Sequence, residues 1–152
     1  MVYIGIDPGQ KGGIGIIEGD RLVEYFPMPE TRKQVYDRLK VYVDREATAT
    51  IEKVGSMPGQ GVASTFKFGK RYGELLGICT ALGFRISEPT PQAWKKATLA
   101  GTDKSKEASI QRCENLYPDV QLILPRCRNA HDGMAEAILL AHYGKYHGDR
   151  NG

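Results

Sequence analysis

The chain opens on a run of mostly apolar, β-branched positions over residues 2–6, broken at Asp7-Pro8-Gly9. A short apolar run closed by a turn signal predicts a strand. Residues 13–17 repeat the pattern, Glu18-Gly19-Asp20-Arg21 reads as a hairpin turn, and residues 22–28 follow as a third strand closed by Pro27 and Pro29. Three strands in direct succession predict an antiparallel meander. The period then changes: Val35, Leu39 and Tyr42 recur at helical spacing across residues 31–43, with Thr31 able to cap the start.

A short strand over residues 48–51 ends at Glu52, and the Gly/Pro-rich stretch 55–61 predicts a loop. A long helix is expected over residues 63–82, where Gly69, Gly73 and Gly77 recur every four positions and leave one face bare. Packing of that face on the sheet is the first expectation, contact with a partner helix the second. Residues 84–87 predict a fifth strand. Thr90 and Pro91 then open a helix carrying Trp94, and Thr102 or Asp103 caps another that runs to about Leu116. Residues 120–124 are apolar but end at Pro125, so they read as extended without joining a sheet. A last helix is expected over residues 129–146, with Ala130, Met134, Ala137, Ile138 and Ala141 on its buried side. The order predicts one α/β domain over residues 1–146, its sheet antiparallel at the start and parallel after the first crossover, with residues 147–152 as a frayed tail.

Composition changes this picture little. Hydrophobic residues at 41% and charged residues at 26% are ordinary for a globular protein of 152 residues, and the net charge of +3 permits a polyanionic partner without requiring one. Cys79, Cys113 and Cys127 have no paired spacing and read as reduced thiols, and Cys127 with His131 lacks the second ligand pair that zinc needs. Neither a secretory signal nor a membrane span is expected, and the cytoplasm is the expected compartment.

Three acids carry the candidate chemistry. Asp7 leaves the first strand where the chain bends, and can equally cap its own turn or bind a ligand. Glu52 ends the strand expected to lie parallel to the first, so both carboxylates emerge at one sheet edge, where open α/β sheets place ligands. Asp132 opens the final helix, one turn before Glu136. Carboxylates brought together repel one another, and a cation relieves the repulsion. Ligands that are all oxygen select hard ions such as Mg²⁺ or Mn²⁺, and a pair of such ions cleaves phosphodiesters.

These residues carry a resemblance. Ile4-Gly5-Ile6-Asp7-Pro8-Gly9 with the strand at Gly13, then Ile51-Glu52-Lys53-Val54 before a loop and a glycine-bearing helix, then His131-Asp132-Gly133-Met134-Ala135-Glu136-Ala137, resemble RuvC-type Holliday-junction resolvases. The last motif looks like the smaller phage-encoded branch. The match runs in order along nearly the whole chain. It implies a ribonuclease H-like fold with a five-stranded sheet, a homodimer, and paired nicks across four-way DNA junctions or other branched DNA. It also implies a mechanism with two Mg²⁺ ions (Mn²⁺ as substitute) leaving 5′-phosphate and 3′-hydroxyl ends, in a bacterial or phage-infected cell.

By position Asp7, Glu52 and Asp132 match the family's acidic ligands. Many members carry a fourth acid three residues before the last, where this chain has Asn129, a neutral oxygen donor. Glu136 shares a helix face with Asp132 and is the candidate substitute, or else the partner of a lysine. Lys106, with Lys104 as the alternative, resembles a catalytic lysine. Lys67, Lys70, Arg71, Lys104 and Arg128 are candidate DNA contacts. Met57, the bulky apolar residue of the 55–61 loop, is either a wedge entering the junction or tucked against its own domain. Two other readings share the fold: a nuclease for another nucleic acid, and a binding module without chemistry. An actin- or sugar-kinase-type protein would need two such domains, and this chain is too short for that.

Overall fold

A computed structural model of the chain describes residues 1–55 and 58–148. Five strands form one sheet: β1 (Val2–Asp7), β2 (Gly13–Glu18), β3 (Arg21–Pro27), β4 (Ala47–Ile51) and β5 (Arg85–Ser87), in spatial order β3-β2-β1-β4-β5. The first three pair antiparallel, and β4 and β5 join in parallel, as the order of elements predicts. β1 and β4 run in register, Ile6 facing Ile51, and Glu52 donates its backbone N–H to Ile6 at 3.2 Å. Asp7 and Glu52 therefore leave neighbouring central strands side by side.

Helices cover both faces. On one lie α1 (Arg32–Leu39) with a 3₁₀ turn at Lys40–Tyr42, and α2 (Val62–Ala81). Thr31 caps α1 in a full capping box with Gln34. On the other face lie α3 (Pro91–Thr98), α4 (Lys106–Leu116) and α5 (Asp132–His147). Each face has its own apolar core: Ile4, Ile6, Val35, Leu39 and Leu75 in one, Trp94, Leu99, Cys113, Met134 and Leu139 in the other.

α5 lies against β1 and β2 at backbone contact. Gly5 and Gly15 face each other across the β1–β2 pair. A Cβ on Gly5 would stand 2.0 Å from the Ala137 carbonyl oxygen, and one on Gly15 would stand 2.8 Å from the Ile138 Cα. Gly133, in the first turn of α5, is equally tight against the Lys11 carbonyl, where a Cβ would come to 2.1 Å. Removing side chains at these points lets the helix axis approach the sheet and fixes where its N-terminus sits.

Five sequence expectations change. α5 begins at Asp132, because Ile123 and Ala130 form an isolated bridge and His131 donates its N–H to Leu122, holding the preceding segment extended. The His131 Nδ1 accepts from Met134 N–H and caps the helix. Burial is not one-sided, since Leu139 and Leu140 are also enclosed, and His147 is helical rather than part of a tail. Residues 149–152 lie outside the described residues. The helix cap before Lys106 is Ser105, neither Thr102 nor Asp103, because Thr102 and Asp103 bond within the preceding turn. The bare face of α2 does not pack on the sheet: a Cβ on Gly69, Gly73 or Gly77 would meet nothing within 4 Å. Leu75 and Cys79 point at the sheet instead, and Val62 and Phe66 stand 88% and 73% exposed.

Among the described residues no helix is long and apolar enough to cross a membrane. Gly5→Ala should lower stability by about 3 kcal/mol, because the added methyl forces α5 off the sheet. Thermal unfolding should show the midpoint falling by roughly 6–12 °C; an unchanged midpoint would show that the helix can move away freely.

Candidate active site

Parallel pairing of β1 with β4, and the seating of α5 across both, bring four acids to one end of the sheet. Asp7 closes β1, Glu52 follows β4, and Asp132 and Glu136 occupy the first two turns of α5. Asp7 serves its own turn as well: its Oδ1 accepts from the Gly9 N–H at 3.1 Å. Its carboxyl is nonetheless pushed up to about 7, first by burial and then by the negative charges of Glu136, Glu52 and Asp132. Among the described residues no cation forms an ion pair with Asp7.

The other three acids are each held by a donor from α3 or α4. Glu52 accepts from the Trp94 indole N–H at 2.6 Å. Burial raises the Glu52 carboxyl, the Trp94 hydrogen bond opposes the shift, Glu136 adds to it, and Lys95 lowers it. Glu136, only 9% exposed, pairs with Lys95 at 3.2 Å and accepts from the Ser109 hydroxyl at 3.5 Å. Asp132 pairs with Lys106 at 3.2 Å, and this contact raises the Lys106 ammonium above its usual range. A buried carboxylate is tolerable only with such partners.

The arrangement is not a preformed chelate. Among the described residues, no three acidic, histidine or cysteine side chains are gathered closely enough to grip one ion. The expected convergence on a single spot is thus corrected to a shared sheet end and a shared field, with each acid turned toward its own donor. The donor chemistry suits a hard divalent cation: four carboxylates, no sulfur, and a part-buried Asp7 that forms no ion pair among the described residues.

Asn129 shares a groove with Asp132. It is exposed and lies two residues before the helix cap, in an open groove of about 500 Å³ lined also by Lys11, Arg128, His131 and Asp132. Glu136 lies near enough for its charge to raise both the Asp7 and the Glu52 carboxyls. Of the expected DNA contacts, Arg128 shares that groove, while Lys67 and Lys70 are exposed on α2. Lys104 is exposed in the left-handed region at φ 57° in the loop before α4. Arg71 differs: its guanidinium donates to the Pro29 and Glu30 carbonyls and ties the β3–α1 loop to α2. Met57 lies outside the described residues. Trp94, Lys95, Ser109 and Lys11 carry no signal in the sequence that links them to the acids.

No family model matches the chain. The chloroplastic Holliday junction resolvase MOC1 of Chlamydomonas reinhardtii is 31% identical over 85 residues, 56% of this chain. The match spans 9% of that relative's own length. Among solved structures, Thermus thermophilus RuvC superposes with a TM-score of 0.57 at 25% identity, over 95% of this chain and 96% of that one. T. thermophilus RuvC in complex with a Holliday junction substrate gives a TM-score of 0.61 at 20% identity, over 93% and 90%. The fold is therefore that of RuvC, a ribonuclease H-like mixed sheet flanked by helices, as the sequence motifs imply.

The raised Asp7 carboxyl makes a stability prediction for the metal-free protein. Between the ordinary value of 3.8 and about 7 the folded state holds a proton that the unfolded state has lost. Stability therefore falls as pH rises through this window and stays reduced above it. Asp7→Asn, which keeps an oxygen for Gly9, should melt several degrees above the wild type at pH 8 in chelator, and the gap should close toward pH 4. Equal melting at pH 8 would mean that the Asp7 charge is not penalised.

Proposed function

We propose that the chain is a metal-dependent endonuclease that cuts four-way DNA junctions, or other branched DNA, by paired nicks. The observation that carries this reading is the set Asp7, Glu52, Asp132 and Glu136 at one sheet end, with Asp7 uncompensated. The likeness of the whole fold to RuvC and the local likeness to a Holliday junction resolvase support it. A module that had lost its chemistry would have no reason to retain four acids at such electrostatic cost.

Two Mg²⁺ ions per site, or Mn²⁺ as substitute, would supply the chemistry of an activated water and charge stabilisation for phosphodiester hydrolysis to 5′-phosphate and 3′-hydroxyl ends. Asp7, Glu52, Asp132 and Glu136 would hold the ions, with Asn129 at most a neutral oxygen nearby. Holding them would draw Asp132 away from Lys106. The Lys106 ammonium, 72% exposed at its side chain, could then neutralise charge developing on a bound phosphate. Lys67, Lys70, Lys104 and Arg128 are the basic contacts available to the phosphate backbone. Arg71 belongs to the fold.

Paired nicks need two sites, which a homodimer supplies. The face of α2 bearing Val62, Phe66 and the three glycines is apolar surface that the single chain leaves uncovered. The compartment we propose is the cytoplasm of a bacterium or a phage-infected cell.

A labelled synthetic four-way junction, a flap and an RNA–DNA hybrid, each with Mg²⁺, test the reading. Symmetric paired nicks in the junction alone are expected. Cleavage confined to the hybrid would instead indicate a ribonuclease H-type substrate. Asp7→Asn should bring nicking below detection while junction binding persists, and wild-type rates in that variant would refute the carboxylate site. Lys106→Ala should lower kcat about 10²-fold. Junction affinity should drop steeply with added salt, since phosphate contacts release counterions.

A further inference from the structure

α3 carries two adjacent residues that reach the acids, and one of them organises both contacts. Trp94 is the chain's single tryptophan and is 0% exposed, in the core formed by Leu99, Cys113, Met134 and Leu139. Packing alone would be satisfied by any large apolar side chain there. The indole edge adds something packing does not need: its N–H meets Glu52 Oε2 at 2.6 Å, across 42 residues of sequence. The indole face adds another. The Lys95 ammonium stands 5.3 Å from the ring centroid while pairing with Glu136 at 3.2 Å.

The frame that holds Trp94 is rigid. Thr90 caps α3 through the Ala93 N–H, and Pro91 occupies the first turn. Lys53, next to Glu52, donates its backbone N–H to Pro89 at 2.8 Å, so the chain after β4 and the chain entering α3 are tied together at the site. The distance from indole to carboxylate is thereby set by backbone contacts on both sides.

We propose that Trp94 is a positioning residue: its N–H selects the Glu52 carboxylate orientation, and its ring seats Lys95 against Glu136, so one buried indole orders two of the four acids. The role rests on the metal-dependent reading above. A hydrogen-bond partner that orients a ligating carboxylate characteristically alters metal affinity or activity 10–100-fold when removed. Trp94→Phe keeps an aromatic body in the core and deletes the N–H.

Calorimetric titration with Mn²⁺ alone, without DNA, should show the Phe variant binding about tenfold more weakly than wild type. Its kcat should fall by about tenfold, with junction affinity in chelator unchanged. Wild-type Mn²⁺ affinity and kcat in a folded Phe variant would overturn the proposal. The wild-type protein provides a second test that needs no variant at position 94, since its tryptophan emission comes from this one indole. Mg²⁺ should shift that emission with the same midpoint as ion binding, and Glu52→Gln should abolish the shift. Ion binding by calorimetry with silent emission would overturn the role of Trp94 while leaving the metal site standing. Absence of any ion binding by the wild type would bring down the metal-dependent reading, and this role with it.

Discussion

The contact on which the rest of the molecule depends is the seating of α5 on the backbone of β1 and β2. Gly5, Gly15 and Gly133 are the points of closest approach, where a methyl group would stand between 2.0 and about 3 Å from backbone atoms of the facing element. That proximity excludes water from the middle of the sheet and encloses the first half of α5 on every side. It also sets a functional distance. With the helix pinned at Gly133 against Lys11 and at Ala137 against Gly5, the intervening turn must carry Asp132 and Glu136 to the end of β1. The placement of half the acids is a consequence of close packing.

The second constraint is electrostatic. Four carboxylates share one end of the sheet, and the chain offsets their repulsion unequally. Lys95 and Lys106 pair with Glu136 and Asp132, Trp94 donates a neutral hydrogen bond to Glu52, and Asp7 receives only its own turn's N–H. Asp7 therefore bears the residual penalty, visible as a carboxyl raised to about 7. A folded state that keeps such a group gives up stability at this position.

α3 and α4 supply these donors, and both are short helices capped by hydroxyl side chains, Thr90 and Ser105. They lie on the face of the sheet that α5 covers, and they close over it. α1 and α2 on the opposite face contribute no side chain to the acid cluster. α2 instead presents its glycine row outward, with Val62 and Phe66 along it. The two faces thus differ, one gathering the acids and the other leaving apolar surface exposed.

The sequence by itself determined the elements and their order, because period-two and helical patterns, hydroxyl caps and Gly/Pro breaks act locally. It also placed Asp7 and Glu52 together, since strands leaving a parallel pair in register must end side by side. Motif spacing supplied Asp132. Tertiary structure decided what depends on contacts between distant segments. Glu136 comes close enough for its charge to raise the Asp7 and Glu52 carboxyls, and the Ile123–Ala130 bridge leaves Asn129 ahead of the start of α5. The glycines of α2 face outward because Leu75 and Cys79 claim the sheet side, a choice the four-residue period cannot express. Arg71 is engaged by backbone carbonyls from residues 29 and 30. Trp94 reads in the sequence as an ordinary core residue, and only the fold brings its indole N–H to Glu52, because hydrogen bonds across long loops leave no periodic trace in a chain.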